Sequence, residues 1–504
     1  MSEPNGGPSD RMAPEYIPTK TLPQNRSIFF KAETIEIAFN EYIQVKPQLV
    51  TITPEIKPQP SISAKGKKLI IQLNAPLKEN TTYTINLSGA VNDITENNTV
   101  GNLTYVFSTG SYIDSMSVSG TVKDAFSGNG ISGTTVVLHD AGIDSAIYTS
   151  SPLYYLKTDK NGTFQFNNIK KGNYKIYSLV DKNADLKYSG FPEEIGFDST
   201  IVQLDSSVNN FVLLQSKQTN STLSLNKSLF LNKFTQVYKF SSSIHEIQCQ
   251  SSGNSTLKFF HNANDSVLHV TLYDTLKNDT AFFVIKGKNL PADTLAFTAH
   301  LSKKMKSTIA LNAVLPPELY AKDSIVIKTN SPFALDLSKI ILTDTLHKKP
   351  VSFKHVVRPF EVVIYPAIPV EKIPVNVVCF PGAIKSTVTK SMNDTLSQFT
   401  LFLPEDKCGN IEMEIKNVDL LKMKKPVIVL TSDGKKIAQQ KLTSKNAFLF
   451  LKPGKYKVYV FDDLDGSNQW SPSDFKLKKQ AEPVIWFNQE IKVKSNWQQN
   501  LTWI

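Results

Sequence analysis

The chain has 504 residues, a formal net charge of +11 and 40% hydrophobic residues. That length is too great for one core, since soluble domains cluster at roughly 100 to 150 residues, and the composition excludes a largely disordered chain. Only Arg11, Arg26 and Arg358 are arginine, and without the planar guanidinium that clamps phosphates and base edges, a lysine surface excludes specific nucleic-acid recognition and leaves solvated faces, or attraction to lipid headgroups or acidic glycan.

Residues 1–27 are rich in Pro, Gly and polar side chains and read as a flexible leader. No run of about 18 apolar residues follows that could span a bilayer, and no apolar signal-peptide core is present. From Thr34 the apolar residues alternate: Ile35, Ile37 and Phe39, then Leu69, Ile71 and Leu73, then Tyr83, Ile85 and Leu87, then Tyr105 and Phe107. A period of two marks strands with one buried face, and Pro, Gly and Asn clusters between them suit a β-sandwich over 28–112. A second antiparallel β-domain is expected over 113–215. In it Phe164 and Phe166 alternate after an Asp159-Lys-Asn161-Gly162 turn, and Tyr174 and Ile176 follow. Residues 216–314 hold strand-like stretches such as SVLHVTLYD and TAFFVIKG between Asn-Asp turns, and read as another sandwich.

The remaining chain repeats the beginning. Pro76-Leu77 precedes Gly89-Ala90-Val91 by the same interval at which Pro369-Val370 precedes Gly382-Ala383-Ile384, and TIEIAFN matches SIVIKTN upstream. Likewise Gly172-Asn-Tyr174-Lys-Ile176-Tyr177 is echoed by Gly454-Lys-Tyr456-Lys-Val458-Tyr459, each after a paired-aromatic strand. Internal self-similarity of this kind means duplicated modules, so 315–405 repeats the first domain and 406–504 the second. The expected fold is all-β, in tandem sandwiches.

The same residues carry a family resemblance. The segments IEIAFNEYIQV, PLKENTTYTINLSGAVND and YVFSTG resemble the bacterial Ig-like domain of S-layer and surface proteins. The stretch from SGTVKDAFSG to NGTFQFNNIKKGNYKIYSLVDKN resembles a carboxypeptidase-regulatory or prealbumin-like domain, and the whole chain is similar to the Ig-like-domain surface lipoproteins of Bacteroidota. The resemblance implies tandem Ig-like and prealbumin-like domains, an outer-membrane location and an N-terminal lipid anchor. Gly6-Gly7-Pro8-Ser9-Asp10 looks like the segment that follows the lipidated cysteine in that family, although no cysteine precedes it here.

Chemistry-bearing patterns are sparse. None of the seven histidines forms a short ligand pair, and no nucleophile elbow or phosphate loop occurs. Cys379 and Cys408 are the pair one disulfide would join, leaving Cys249 odd. Two acidic loops follow the repeated strand: Asp181, Asn183 and Asp185, then Asp463, Asp465, Asn468 and Asp474. Oxygen donors at alternate positions can turn toward a hard cation such as calcium, and the same residues can instead cap an Asx-turn without any ion. All four tryptophans lie near the C-terminus. Ile491, Val493, Trp497, Leu501 and Trp503 share one parity, which predicts burial of Trp497 and Trp503. Trp470 and Trp486 are the candidates for partner or ligand contact, because amphipathic indoles anchor interfaces and stack on sugars.

Every segment reads as a β-module and none is left for a catalytic domain. The function expected is a non-catalytic surface scaffold or accessory subunit that binds proteins, with an outer-membrane complex as the candidate partner. The alternative is an adhesin or glycan-binding module that uses the C-terminal aromatics.

Overall fold

Alternating residues become strands wherever one face can be buried, and the described residues form a nearly all-β fold with only short helical turns, such as Ala146–Thr149 and Val418–Leu421. The computed structural model describes residues 10–143, 145–190, 193–218, 225–241, 248–252, 257–260, 266–273, 280–286 and 295–504. By internal contacts the chain forms two units: Met1–Gln218 with Pro472–Pro483, and Thr219–Ser471 with Val484–Ile504.

In the first unit, Thr34–Ala38, Lys68–Gln72 and Ser61–Lys65 form one sheet, and Thr51–Thr53, Thr82–Asn86 and Thr104–Ser108 another. The alternating set read from the sequence, Ile35 through Phe107, is buried in their common core, where Tyr83 stacks on Phe107 at 5.2 Å between ring centroids. The next block is one eight-stranded sheet. Its strands are antiparallel except that Val208–Lys217 runs parallel to Met116–Asp124, which corrects the purely antiparallel domain expected there.

The described part of the supposed leader, residues 10–27, is part of the first core. Leu22 and Glu36 exchange backbone hydrogen bonds of 2.9 and 2.7 Å, Tyr105 Oη donates to Pro23 O at 2.8 Å, and Ser27 pairs parallel to Phe107. Thr34–Ala38 is the edge of its sheet, and an unpaired edge invites covering by whatever chain lies nearby. Proline is tolerated at such edges, so a proline-rich composition did not mean a free tether. The tether expectation for residues 1–9 lies outside the described residues.

The second unit contains the repeat of this arrangement. Ile325–Thr329, Glu361–Pro366 and Phe353–Arg358 form one sheet, while Ile340–Asp344, Ile373–Cys379 and Leu396–Phe402 lie together in another. Leu311–Val314 covers the edge of Ile325–Thr329, and Glu318–Leu319 runs parallel to Leu401–Phe402. These are the roles of Leu22 and Ser27 in the first copy. Residues 311–314, assigned from sequence to the middle segment, therefore share a sheet with the repeat. The middle stretch itself has a four-stranded sheet, with Val267–Leu272 between Thr235–Phe240 and Leu257–Phe260, and a three-stranded one centred on Thr280–Lys286.

The C-terminal block repeats the pairings of the eight-stranded one except that of Glu194–Phe197 with Val208–Lys217, so its strands form a three-stranded and a five-stranded sheet. Gly409–Ile415 runs parallel to Gln498–Trp503, as Met116–Asp124 does to Val208–Lys217. Gly454–Tyr456 pairs with Ile491–Val493 as Gly172–Tyr174 pairs with Val202–Leu204. The same tyrosine makes the same bond in both copies: Tyr174 Oη donates to Lys170 O and Tyr456 Oη to Lys452 O, each at 2.7 Å.

Candidate functional site

The first acidic loop begins where the strand Gly172–Leu179 ends and is closed by its own hydrogen bonds. Asp181 Oδ2 accepts from Leu186 N at 2.9 Å, Asp185 Oδ1 from Lys187 N at 2.9 Å, and Asn183 Nδ2 donates to Asp185 Oδ2 at 3.1 Å. Ala184 and Leu186 take positive φ of 58° and 60°, which winds the chain tightly enough for these bonds.

This loop reaches the rim of a cleft of about 1170 Å³ within the first unit. Thr51, Lys57 and Asn86 line it from the first block, and Tyr155, Gln165 and Lys187 from the second. Lys57 Nζ donates to Ser151 Oγ at 2.7 Å, linking the two blocks beside it. Hydroxyl, amide and ammonium groups around one half-buried tyrosine form a hydrogen-bonding wall, of the kind that takes a polar chain. Sequence reading missed this cleft because its residues come from polar, outward positions of strands far apart in the chain.

The second acidic loop begins where Gly454–Asp462 ends. Asp463 Oδ2 accepts from Asn468 N at 3.2 Å, and Asp465 accepts from Ser467 N at 2.9 Å and Ser471 Oγ at 2.7 Å. Asp474, grouped with this loop from sequence, instead belongs to the first unit, where its backbone pairs with Lys479. Trp470 is half-buried against Val427, Val429 and Phe461, and the Trp486 ring lies 4.7 Å from that of Tyr459. Neither indole stands clear of the sheet.

Trp503 is buried, as parity predicted, but Trp497 is 55% exposed, with Lys494 Nζ 5.8 Å from its ring centre. The strand Ile491–Val493 ends before Gln498–Trp503 begins, and Asn496 between them takes φ of 51°. Parity does not carry through such a turn. The disulfide reading also falls: Cys379 and Cys408 are both free and buried. Burial pushes the Cys379 thiol up to about 11, which keeps it protonated and unreactive. The side chain of Cys249 lies outside the described residues.

One histidine held between two carboxylates escaped sequence reading. His347 Nδ1 lies 2.6 Å from Asp344 Oδ2, and its Nε2 lies 3.4 Å from Glu371 Oε1. Burial raises the Asp344 pKa, but hydrogen bonds from the His347 ring and from the backbone N–H groups of His347 and Leu346 outweigh it, and the net shift is downward. Because both ring nitrogens face carboxylates, this is a clamp on the turn after Ile340–Asp344 rather than a base aimed at a substrate.

Residues 12–109 match the bacterial Ig-like domain. The match begins inside the segment expected to be a leader, in keeping with the pairing of Leu22 and Ser27 into the Ig-like core. No curated protein matches the chain. Among solved structures, the major pilin subunit BcpA of Bacillus cereus aligns at 12% identity over 77% of this chain and 98% of its own, with a TM-score of 0.14. The TIE protein of Bacillus anthracis aligns at 9% identity over 99% of this chain and 75% of its own, with a TM-score of 0.15. SGBP-B of the Bacteroides ovatus mixed-linkage glucan utilization locus, solved with a mixed-linkage heptasaccharide, aligns at 11% identity over 76% of this chain and 94% of its own, with a TM-score of 0.18. Scores this low carry no inference about fold or role.

Proposed function

We propose that this chain is a non-catalytic scaffold or accessory subunit of the bacterial cell surface, carried on an N-terminal lipid anchor and engaging protein partners through its tandem β-domains. The observation that supports it best is the duplicated architecture: an Ig-like module over 12–109 and a topological repeat of it later in the chain, each with one edge, that of Thr34–Ala38 or of Ile325–Thr329, covered by its own chain. With that edge closed, each module has its faces, its loops and the opposite edge strand, Ser61–Lys65 or Phe353–Arg358, to present to partners. The test is chemical cross-linking on intact cells, followed by purification of the tagged chain. A partner recovered in equal amount, together with radiolabelled palmitate in the full-length protein, is the expected result. A chain that runs alone, unlabelled and protected from added protease would overturn the reading.

A second reading, glycan binding at the C-terminal block, is favoured by the grouping of Tyr459, Trp470 and Trp486 around one sheet. Half-buried aromatic rings offer faces for stacking on sugars. Glycan arrays with Trp470→Ala and Trp486→Ala separate the two readings: binding lost in either variant supports glycan recognition, and an array with no signal removes it.

A further inference from the structure

The two acidic loops differ in how far their carboxylates are already satisfied. In the first, both oxygens of Asp181 and both of Asp185 accept hydrogen bonds from the loop itself. Nothing there calls for an ion. In the second, Asp463 is only 6% exposed and its Oδ1 is buried without any hydrogen-bond donor. A carboxylate oxygen of Asp465 lies within 4.8 Å of one from Asp463. A buried acceptor without a donor is rare in folded proteins and costs stability, and two carboxylates this close repel each other. One cation placed between them removes both costs.

We propose that Asp463 and Asp465 hold a structural divalent cation of the calcium type. All the donors are oxygens, as a hard cation requires, with no imidazole or thiolate to favour zinc or copper. The sequence Asp463-Leu-Asp465-Gly466-Ser467 places oxygen donors at alternate positions, and Gly466 at φ 76° and Asn468 at φ 57° curl the chain back on itself. Ser467 Oγ gives its hydrogen to Gln469 O at 2.7 Å and accepts from Gln469 N at 3.2 Å, which leaves one lone pair for a metal or its waters. Calcium accepts such an irregular, partly hydrated shell, whereas magnesium demands a regular octahedron. The bound ion would stiffen the chain as it leaves the strand Gly454–Asp462.

The experiment uses the full-length chain freed of metal with a chelator, followed by thermal melting with calcium or magnesium and by terbium luminescence titration. Calcium at about 1 mM, the range of extracellular sites, should raise the melting temperature of the wild type and of Asp181→Asn, and terbium should bind once and be displaced by calcium. Asp463→Asn and Asp465→Asn should each weaken terbium binding by about tenfold or more. Without calcium, Asp463→Asn should melt at or above the wild type, because it removes the unsatisfied charge, and this shows that it folds. No melting shift in the wild type overturns the site. So does an undiminished shift in both Asp463→Asn and Asp465→Asn, or a shift lost in Asp181→Asn.

Discussion

His139 shows what a single buried ring can do to the pH dependence of the whole fold. It sits on Thr135–Asp140, is 2% exposed, faces Tyr177 edge-on at 6.1 Å and has no partner at Nε2. Burial lowers its pKa from 6.5 to about 4. The unfolded chain therefore binds a proton below pH 6.5 that the folded chain refuses until pH 4. Stability from this residue is fully present above that window and is lost as pH falls through it. At 1.36 kcal/mol per pKa unit the ceiling is about 3 kcal/mol, and relaxation of the pocket reduces this to about 2 kcal/mol. Urea melts at pH 7 and pH 4.5 should show the loss, and His139→Phe should abolish most of it. An unchanged pH slope in His139→Phe would show that other groups carry the effect. At this scale the sequence was informative wherever period two held, as for Ile35 and Ile71. It misled at Trp497, where a turn reset the alternation, and it was silent on the pairing of Asp344, His347 and Glu371, which depends on a turn and a distant residue.

Between elements, the repeats were readable because they preserve short aromatic and glycine patterns, and the structure gives one of them a bond. Tyr174 and Tyr456 each tie the start of their strand to a lysine carbonyl four residues earlier. Removing such a bond costs about 1 kcal/mol. Tyr174→Phe and Tyr456→Phe should each lower stability by about that amount, measured by denaturant melts, and a cost in one copy alone would show that the copies have diverged. The parallel pair between Met116–Asp124 and Val208–Lys217 imposes a stricter demand. A Cβ on Gly120 would lie 2.0 Å from Phe211 O, where the register slips by a bulge. Backbone cannot yield there as a side-chain tip can, so Gly120→Ala should cost about 3 kcal/mol or more and melt the first unit early. Element boundaries were less legible than the elements. Leu22 and Ser27 join the sheets through isolated bridges, and one paired residue leaves no periodic trace.

At the scale of the whole molecule, chain order and packing order part company. Residues 472–483 follow the second acidic loop in sequence but belong to the unit built from residues 1–218. Phe475 is 1% exposed there, with the rings of Tyr148, Tyr177, Tyr188 and Phe197 at 5.0 to 5.8 Å. Ser216 Oγ meets Ser473 Oγ at 2.7 Å, and Phe475 N donates to Gln218 Oε1 at 2.7 Å. No sequence rule finds this pairing, because SPSDFKLKK has two large apolar residues among polar ones, of which Phe475 is buried and Leu477 exposed, and looks like an ordinary loop. Emptying such a pocket costs about 3 to 5 kcal/mol, so Phe475→Ala in the full chain should lower the melting temperature of the first unit by several degrees. The same logic governs truncation. A fragment of residues 1–218 alone would leave that aromatic pocket facing water and Gln218 without its partner, although it keeps both β-sheet blocks intact. It should fold, melt below the corresponding transition of the full chain, and regain stability when a synthetic peptide of residues 472–483 is added, by an amount that grows with peptide concentration as mass action requires. The same peptide with Phe475→Ala should give no recovery. A fragment already as stable as the intact unit would mean that the strap packs against the first unit without contributing to its stability.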